Sequence, residues 1–402
     1  MVQHILNLIW NERRRNWRIF VALLIAFVPS WILIDSLFEN IYNRLLPMGY
    51  DMDDLYVFHF DSEGAGGEDF VRVWDRFFAE LDQFPGIEAK CVSRNPYSLF
   101  SRGGYMSNEI RSDTTKGALI CSNTQVRQID SKEFFEVVRR PSLITGNLVH
   151  MDVTQPNLAI VSSGIARCFW GDSSPIGRKI YVGDEAYRVI DVISPEKRMP
   201  SYAPQELVYL SWEPDSSSVI YNDFCIRVGK NFDVERFKRL VAPNIRTLSE
   251  TKEEFEFIRG ITAEQNMFWA VMLFILLNIA LGVFGSFWLR NQTRCSEIAI
   301  RMAVGASRGS ILRLYVGEAL IIFLASSLLG CLVNLGLFYI GVVGSRHPEV
   351  DIISSLMQRP WPRFAVSNVL TFALLALVVV LSACIPAYKA SKIKPADALL
   401  EE

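Results

Sequence analysis

The sequence predicts an α+β membrane protein, with four transmembrane helices and a large mixed α/β extracytoplasmic domain inserted between helices 1 and 2. The chain has 402 residues, of which 50% are hydrophobic and 21% are charged, an average that conceals an uneven distribution. Long uncharged stretches lie near both ends of the sequence. The middle has the mixed composition of a water-soluble domain, so the two kinds of sequence predict two kinds of structure.

Four apolar stretches are each long enough to span a membrane, for which a helix needs about 20 apolar residues. The first is Ile19–Ile34, which continues past Asp35 into further apolar residues. The other three are uncharged and comprise Met267–Leu289, Ala319–Gly344 and Phe364–Tyr388. Because a backbone in lipid must satisfy its own hydrogen bonds, each stretch is predicted to be a helix.

The first stretch follows a basic segment, so a cleaved signal peptide is the alternative to a retained anchor. No small-x-small cleavage site follows it, and Asp35–Asn40 is unsuited to cleavage, so a retained anchor is predicted. Apolar residues between Val2 and Trp10 predict a short helix in the membrane interface. The same residues could instead extend the first span, and both interpretations place them at the membrane surface.

Basic residues beside the spans predict the orientation, because cytoplasmic loops carry an excess of Lys and Arg. One side carries Arg13, Arg14, Arg15, Arg18, Arg290, Arg294, Arg301, Arg308, Arg313, Lys389, Lys392 and Lys394. The other side carries Arg44, Arg259, Arg346, Arg359 and Arg363. Both termini and the loop 290–313 are therefore predicted to be cytoplasmic, and the middle of the chain is predicted to be outside.

The predicted outside domain, residues 45–262, begins with a β-α-β pattern. Leu55–Phe60 has strand composition, and apolar residues then recur at helical spacing between Phe70 and Phe84. A second strand is predicted near Ile87–Val92. Further along, a buried strand at Leu158–Val161 precedes a helix at Gly164–Trp170.

A hairpin is predicted next. Two strand-like runs, Arg178–Val182 and Tyr187–Ile193, flank the turn residues Gly183 and Asp184.

The chain lacks the patterns of an enzyme or a nucleic-acid-binding protein. Its four histidines are scattered without a Ser-His-Asp or metal-ligand grouping, and the net charge of −2 gives no support for nucleic-acid binding. No GxxxxGK[ST] phosphate-binding loop occurs in the sequence, so no cofactor is predicted in this chain.

Of the seven cysteines, four fall in the predicted outside domain: Cys91, Cys121, Cys168 and Cys225. None of the seven is spaced as CxxC. A disulfide and buried free thiols are both compatible with these positions.

The outside domain contains the run Asn157–Ala166, followed by Phe169–Gly171 and Pro175–Arg178, and the pattern continues through Tyr187–Ile193. In these residues the domain resembles the core domain of MacB-like permeases. The family usually has a glycine where this chain has Asp191. This departure is local and leaves the rest of the pattern intact.

The loop after the second span, with residues 263–402 around it, resembles the FtsX-like permease domain of the same superfamily. Glu297 and Arg301 are one helical turn apart and are predicted to form an ion pair. Gly305 is predicted to end a short helix and Ser307 to begin the next. The resemblance implies that this helix docks on an ATPase subunit through Glu297, Ile298, Ile300, Arg301, Met302, Gly305, Ala306 and Ser307.

The apolar face of this short helix is predicted to lie at Ile298 and Met302, with the small residues Ala299 and Ala303. We expect that face to meet the partner. Within the spans, Asn278 is expected to bond to a neighbouring helix, and Glu318 to face protein or the cytoplasmic interface.

Small residues four apart would permit close contact between helices. They are Gly282 with Ser286 and Ser326 with Gly330. The tail Ile385–Leu399 resembles the closing motif of the family, and its basic residues are expected to bind anionic lipid headgroups.

The resemblance implies three regions: 1–44, with the interfacial helix and the first span; 45–262, the outside domain; and 263–402, the permease domain. It implies a subunit that transmits the ATP-driven motion of a separate ATPase to the outside domain, with ATP and Mg bound by that ATPase. Two ATPase copies and a second permease, identical or paralogous, are the implied partners. A periplasmic adaptor and an outer-membrane channel are compatible additions.

The implied location is the bacterial inner membrane and the implied process is export. A lipoprotein-releasing permease and an FtsX-like regulator of a cell-wall hydrolase are the alternative functions.

Overall fold

The structure is a computed structural model of the chain. It describes residues 10, 12–59, 79, 81–93, 99–100, 106–115, 118–212, 223–293, 298, 300–302, 304–341 and 359–390. The chain divides into two compact units. Unit 1 comprises Met1–Glu39, Ala263–Ser345 and Pro360–Glu402, and unit 2 comprises Asn40–Thr262 and Arg346–Arg359.

The helices and strands of the described residues are numbered in chain order. The helices are α1 (Arg13–Leu45), α2 (Phe134–Val138), α3 (Ser163–Trp170), α4 (Val234–Leu240), α5 (Leu248–Ile258), α6 (Ile261–Thr293), α7 (Arg308–Tyr339) and α8 (Pro360–Ala390). The strands are β1 (Leu55–His59), β2 (Ile87–Ser93), β3 (Met106–Arg111), β4 (Ile120–Ile129), β5 (Leu158–Ser162), β6 (Lys179–Val182), β7 (Glu185–Ile193), β8 (Leu207–Ser211), β9 (Asp223–Val228) and β10 (Arg246–Thr247).

Four helices among the described residues are long and apolar enough to cross a membrane, as the sequence predicted. They are α1, α6, α7 and α8. The third differs in extent from the predicted Ala319–Gly344, because α7 already begins at Arg308 and ends at Tyr339. Gly341, with φ +80°, turns the chain after that end. Residues 342–344 lie outside the described part of the chain.

Close contact between α1 and α7 depends on a small residue, as predicted for Ser326 and Gly330. Both are buried in unit 1. A Cβ atom on Gly330 would come within 2.6 Å of Cδ1 of Phe27, a buried residue of α1. The absent side chain therefore allows Phe27 to lie against the α7 backbone. Gly282 has open space around its Cα and makes no comparable contact.

One sheet of unit 2 has the strand order β10-β1-β9-β2, with all neighbours antiparallel. The predicted strands at Leu55–Phe60 and Ile87–Val92 are confirmed as β1 and β2. Strand β9 lies between them, so β1 and β2 are parallel to each other without pairing. Most of the helix predicted between Phe70 and Phe84 lies outside the described residues. Leu81, from its last turns, is buried beneath the sheet.

The other sheet is a closed barrel with the order β3-β4-β8-β5-β7-β6. The strand predicted at Leu158–Val161 is β5, and the helix that follows is α3. The predicted hairpin is confirmed as β6 and β7, joined at Gly183 with φ +63°. Ser162 does not cap α3 through its side chain, and its hydroxyl instead accepts a hydrogen bond from the backbone N–H of Leu207 in β8.

A buried carboxylate holds two arginines in the core of unit 2. Glu196 pairs with Arg127 at 2.9 Å and with Arg140 at 3.0 Å, and all three side chains are almost completely buried. The hydroxyl of Tyr209 donates to Glu196, and burial, followed by the charge of Glu196, raises the pKa of that hydroxyl. The single carboxylate is therefore a counter-charge for both guanidinium groups, and its loss would be costly because an unpaired buried charge is very unfavourable.

Replacing Glu196→Gln is expected to destabilise unit 2 by about 3–5 kcal/mol, because it leaves two arginines buried without a counter-charge. Denaturant unfolding of the purified chain, followed by tryptophan fluorescence, measures the change. Glu253→Gln, at an exposed position of α5, is the matched control. Equal stability of the two variants would contradict the assigned role of Glu196.

Lys252 of α5 makes the stability of unit 2 depend on pH. Its ammonium nitrogen is buried and donates to the carbonyl of Leu99 at 2.5 Å. Burial, and then the charge of Arg127, lower its pKa to about 7, against 10.5 for the ordinary group. Between these values the unfolded chain holds a proton that the folded chain lacks. The free energy of unfolding therefore rises with pH across this window, by up to about 1.4 kcal/mol per pH unit.

Urea unfolding at pH 7 and at pH 9 tests this dependence. The gain in stability with pH is expected in the unchanged protein and in Lys238→Met, which alters a half-exposed lysine of α4. It is expected to disappear in Lys252→Met. Parallel pH profiles for all three proteins would contradict the assignment.

Candidate functional site

The loop between α6 and α7 contains a short helix whose C-terminal end is described. Ile298 and residues 300–302 are helical, and the N–H of Ala306 donates to the carbonyl of Arg301 at 2.9 Å. Gly305 has φ +99°, the left-handed conformation predicted for the end of this helix. Ser307 caps α7 by accepting from the N–H of Ser310, also as predicted. Residues 304–307 therefore lead from this helix into α7.

The exposed face of this helix is not the predicted one. Ile298 is only 4% exposed and belongs to the apolar core of unit 1, and Met302 packs against the same core. The outward apolar residues are Ile300 and Val304, which are 54% and 85% exposed and four positions apart. The predicted outward position of Ile298 was wrong, because hydropathy alone does not tell which apolar face meets the chain's own bundle. Met302 is partly buried, and Ile300, which was also among the predicted docking residues, is outward.

Three predicted residues of this helix, Glu297, Ala299 and Ala303, lie outside the described part of the chain. The ion pair predicted between Glu297 and Arg301 therefore stays a prediction.

The two polar residues predicted within the spans have different surroundings. Glu318 is fully buried within unit 1, on the protein side of α7, as expected. The side-chain amide of Asn278 donates to the carbonyl of Phe274 in its own helix at 2.8 Å, and its predicted contact with a neighbouring helix or subunit stays a prediction. Asn278 lines a groove of about 480 Å³ between α1 and α6, whose other walls include Arg18, Pro29 and Gly282.

An ion pair inside unit 1, not predicted from the sequence, joins α1 to α8. The guanidinium of Arg363 donates to both carboxylate oxygens of Asp35, at 2.6 to 3.1 Å. It also contacts Glu39 at 2.7 Å. Asp35 is 1% exposed. The available signal was one acidic and one basic residue near the same predicted end of two spans, which complementary charge could have brought together.

Further polar contacts extend this ion pair into a polar layer of the bundle, defined here as Asp35, Arg363, Trp31, Ser367 and the pair Asn334–Asn368. The indole N–H of Trp31 in α1 donates to Ser367 in α8 at 2.9 Å. Asn334 of α7 donates to Asn368 of α8 at 2.9 Å. Directional bonds of this kind fix the register of three helices, which apolar packing by itself leaves less defined.

In unit 2, the end of α1 is held by buried polar groups. The ammonium of Lys197 donates to the carbonyls of Asn43 and Leu46, at 2.6 and 2.9 Å, at the end of the helix. The amide of Asn43 donates to the carbonyl of Ser201 at 3.1 Å. These bonds tie the last turn of α1 to the segment that follows β7.

The same end of α1 is tied to α5. Glu256 pairs with Arg44 at 2.6 Å and accepts from the N–H of Ser201 at 2.8 Å. A displacement of this last turn must therefore move or break several buried bonds. The last turn of α1 is thus bonded to two other parts of unit 2, the segment after β7 and helix α5.

Residues 269–395 match the protein family described as FtsX-like permease C-terminal. The matched region covers α7, α8, most of α6 and the short loop helix, so the resemblance seen in the sequence is confirmed for this part of the chain.

Among curated proteins, the chain is 25% identical over 258 residues to the macrolide export ATP-binding/permease protein MacB of Shewanella sp. (strain W3-18-1), covering 61% of this chain and 38% of that protein. It is 24% identical over 260 residues to the uncharacterized ABC transporter permease YknZ of Bacillus subtilis (strain 168), covering 61% and 62%. The chain thus spans less than two thirds of the length of these relatives.

Two solved structures are similar to part of the chain. The periplasmic region of MacB from Actinobacillus actinomycetemcomitans covers 53% of this chain and 97% of its own, with 14% identity and a TM-score of 0.30. The extracellular domain of YknZ from Gram-positive bacteria covers 50% and 92%, with 10% identity and a TM-score of 0.29.

Replacing Arg363→Ala is expected to lower the stability of unit 1 by about 3–5 kcal/mol, because Asp35 is left buried without its counter-charge. The apparent melting temperature in detergent measures the loss. Arg359→Ala, at an exposed position four residues earlier, should have little effect. The exchange of both charges, Asp35→Arg with Arg363→Asp, should restore part of the loss. Equal melting of the Arg363→Ala and Arg359→Ala variants would contradict the role of the pair.

Proposed function

We propose that this chain is the permease subunit of an ABC transporter, which couples ATP hydrolysis by a separate ATPase to movement of an extracytoplasmic domain formed by unit 2. The observation that carries the proposal is the exposed apolar pair Ile300 and Val304 on a short helix inside the region that matches the FtsX-like permease family. The names of the relatives, an export ATP-binding/permease protein and an ABC transporter permease, support the same class.

The short helix is the proposed contact with the ATPase. Its outward residues, Ile300 and Val304, offer an apolar patch of the kind that enters a groove on a partner. Its inward residue, Ile298, is anchored in the core of unit 1. Force applied by the ATPase to this helix would therefore reach the bundle directly. It would enter α7 through the turn at Gly305 and Ser307.

The polar layer of unit 1 is proposed to keep the bundle together under this force. The Asp35–Arg363 pair and the Asn334–Asn368 bond tie α1 and α7 to α8. Helices linked in this way shift as a group, since sliding one of them would leave polar groups unpaired inside the bundle. The ATPases would bind the ATP and Mg, and this chain would supply no catalytic group.

The last turn of α1 is proposed to receive the motion in unit 2. Lys197 and Asn43 bind it to the segment after β7, and the Arg44–Glu256 pair binds it to α5. A shift of this turn would therefore reach the barrel through β7 and the other sheet through α5 and β10. This fits a device that pushes with its outside domain, without a path for cargo through the bundle.

The proposed assembly contains two ATPases and a second permease in the bacterial inner membrane, with both termini and the short loop helix in the cytoplasm. Export is the proposed direction, supported by the name of the MacB relatives. The groove between α1 and α6, together with the weakly buried apolar residues of α6, is the proposed contact with the second permease.

The double variant Ile300→Asp, Val304→Asp is expected to reduce ATPase recovery with the tagged chain at least tenfold, because a charged surface cannot enter an apolar groove. Copurification from membranes, with quantification of the ATPase, measures this. Ile144→Asp changes an isoleucine of similar exposure in unit 2 and should leave recovery unchanged. Full recovery with the double variant, at normal expression, would refute the assigned docking surface.

A further inference from the structure

The four cysteines of unit 2 are arranged as two neighbouring pairs. Cys91 of β2 and Cys225 of β9 are direct partners across the sheet. Cys121 of β4 and Cys168 of α3 are 47 positions apart in sequence, yet their Sγ atoms lie 3.6 Å from each other. A disulfide bond is about 2.05 Å long, so a small rotation of both side chains would bring the second pair into bonding distance.

The two pairs differ in their access to solvent. Cys168 is exposed, whereas Cys121 is only 1% exposed. Cys91 and Cys225 are both buried in the core of unit 2, where burial raises the pKa of the Cys91 thiol. Reaction requires an accessible thiolate. Of the two pairs, only Cys121–Cys168 therefore includes an exposed cysteine.

We propose that Cys121 and Cys168 are a redox modification site, at which a disulfide forms in an oxidising compartment and attaches helix α3 to barrel strand β4. This rests on the proposed function in one respect, namely that unit 2 lies outside the cytoplasm, where disulfides persist.

The reaction takes place by exchange with a disulfide-bearing oxidant, such as a thiol–disulfide oxidoreductase. The thiolate of Cys168 attacks one sulfur of the donor and forms a mixed disulfide, releasing one donor thiolate. The thiolate of Cys121 then attacks Sγ of Cys168 and releases the second donor thiolate. The two cysteines lose two electrons and two protons, and the donor disulfide is reduced to two thiols.

A Cys121–Cys168 disulfide is expected to stabilise unit 2 because of where Cys168 lies on α3. The beginning of α3 is already held, because the N–H of Gly164 donates to Glu206 at 2.9 Å and Ser162 binds the N–H of Leu207. Cys168 lies near the other end, just before Gly171 terminates the helix. A bond to Cys121 would fix this second end and close a loop of 47 positions, which restricts the unfolded chain.

The test uses the full-length chain purified in detergent, reduced and then treated with oxidised glutathione as the disulfide donor. The expected result is the loss of two of the seven thiols and a linked peptide that contains Cys121 and Cys168, detected by mass spectrometry after alkylation and digestion. The apparent melting temperature should rise by roughly 5–15 °C. Cys168→Ser should abolish both changes, and Cys384→Ser, in α8, should retain both.

Three results would contradict the proposed disulfide between Cys121 and Cys168. They are no loss of thiols, a linked peptide that joins Cys168 to a different cysteine, and a stable glutathione adduct on Cys168 that Cys121 never resolves.

A second experiment tests the proposed location of unit 2 independently of the Cys121–Cys168 disulfide. A membrane-impermeant maleimide is added to reduced spheroplasts, and labelling of Cys168 is compared with Cys168→Ser. Labelling from outside supports the location. If Cys168 is labelled only after lysis, the proposed location of unit 2 and the proposed topology are wrong. Oxidation of the purified chain then still tests whether Cys121 and Cys168 form a disulfide.

Discussion

Polar groups removed from water must find partners, and both units are built around this constraint. In unit 1 it brings Asp35 and Arg363 together between two apolar helices. In unit 2 it places Glu196 between Arg127 and Arg140, and Lys197 beside backbone carbonyls at the end of α1. Each group tolerates few alternative arrangements, because any shift leaves a buried charge unpaired. Apolar packing supplies the bulk of the stability, and these groups select the particular register.

This constraint also has a consequence for motion. A bundle whose helices touched only through apolar side chains could slide in small steps with little change in free energy. The bidentate contact of Arg363 with Asp35 removes that freedom for α1 and α8, and the Asn334–Asn368 bond removes it for α7. A unit with such contacts responds to force as one piece, which is what the proposed transmission of motion requires. Flexibility would then be confined to segments without buried polar bonds.

The short loop helix shows which features a local sequence pattern predicts and which it does not. The pattern predicted the end of this helix at Gly305 and the start of α7 at Ser307, because a left-handed glycine and a serine cap are local requirements. It did not predict which apolar face is outward. Ile298 and Ile300 have the same side chain, and only the position of the bundle decides that Ile298 is buried while Ile300 is exposed. Asn278 is a similar case, since its bond to Phe274 follows from its rotamer and not from its residue type.

The sequence by itself determined the four spanning helices and the strands β1, β2, β5, β6 and β7, because apolar length and local alternation are recorded in neighbouring residues. It offered Gly330 and Gly282 equally as sites of close helix contact, and the tertiary structure realised only the one at Gly330. The tertiary structure decided the insertion of β9 between β1 and β2, the Asp35–Arg363 pair and the meeting of Cys121 with Cys168. These features join residues far apart in the chain, and their partners are selected by the fold as a whole, which no local pattern records.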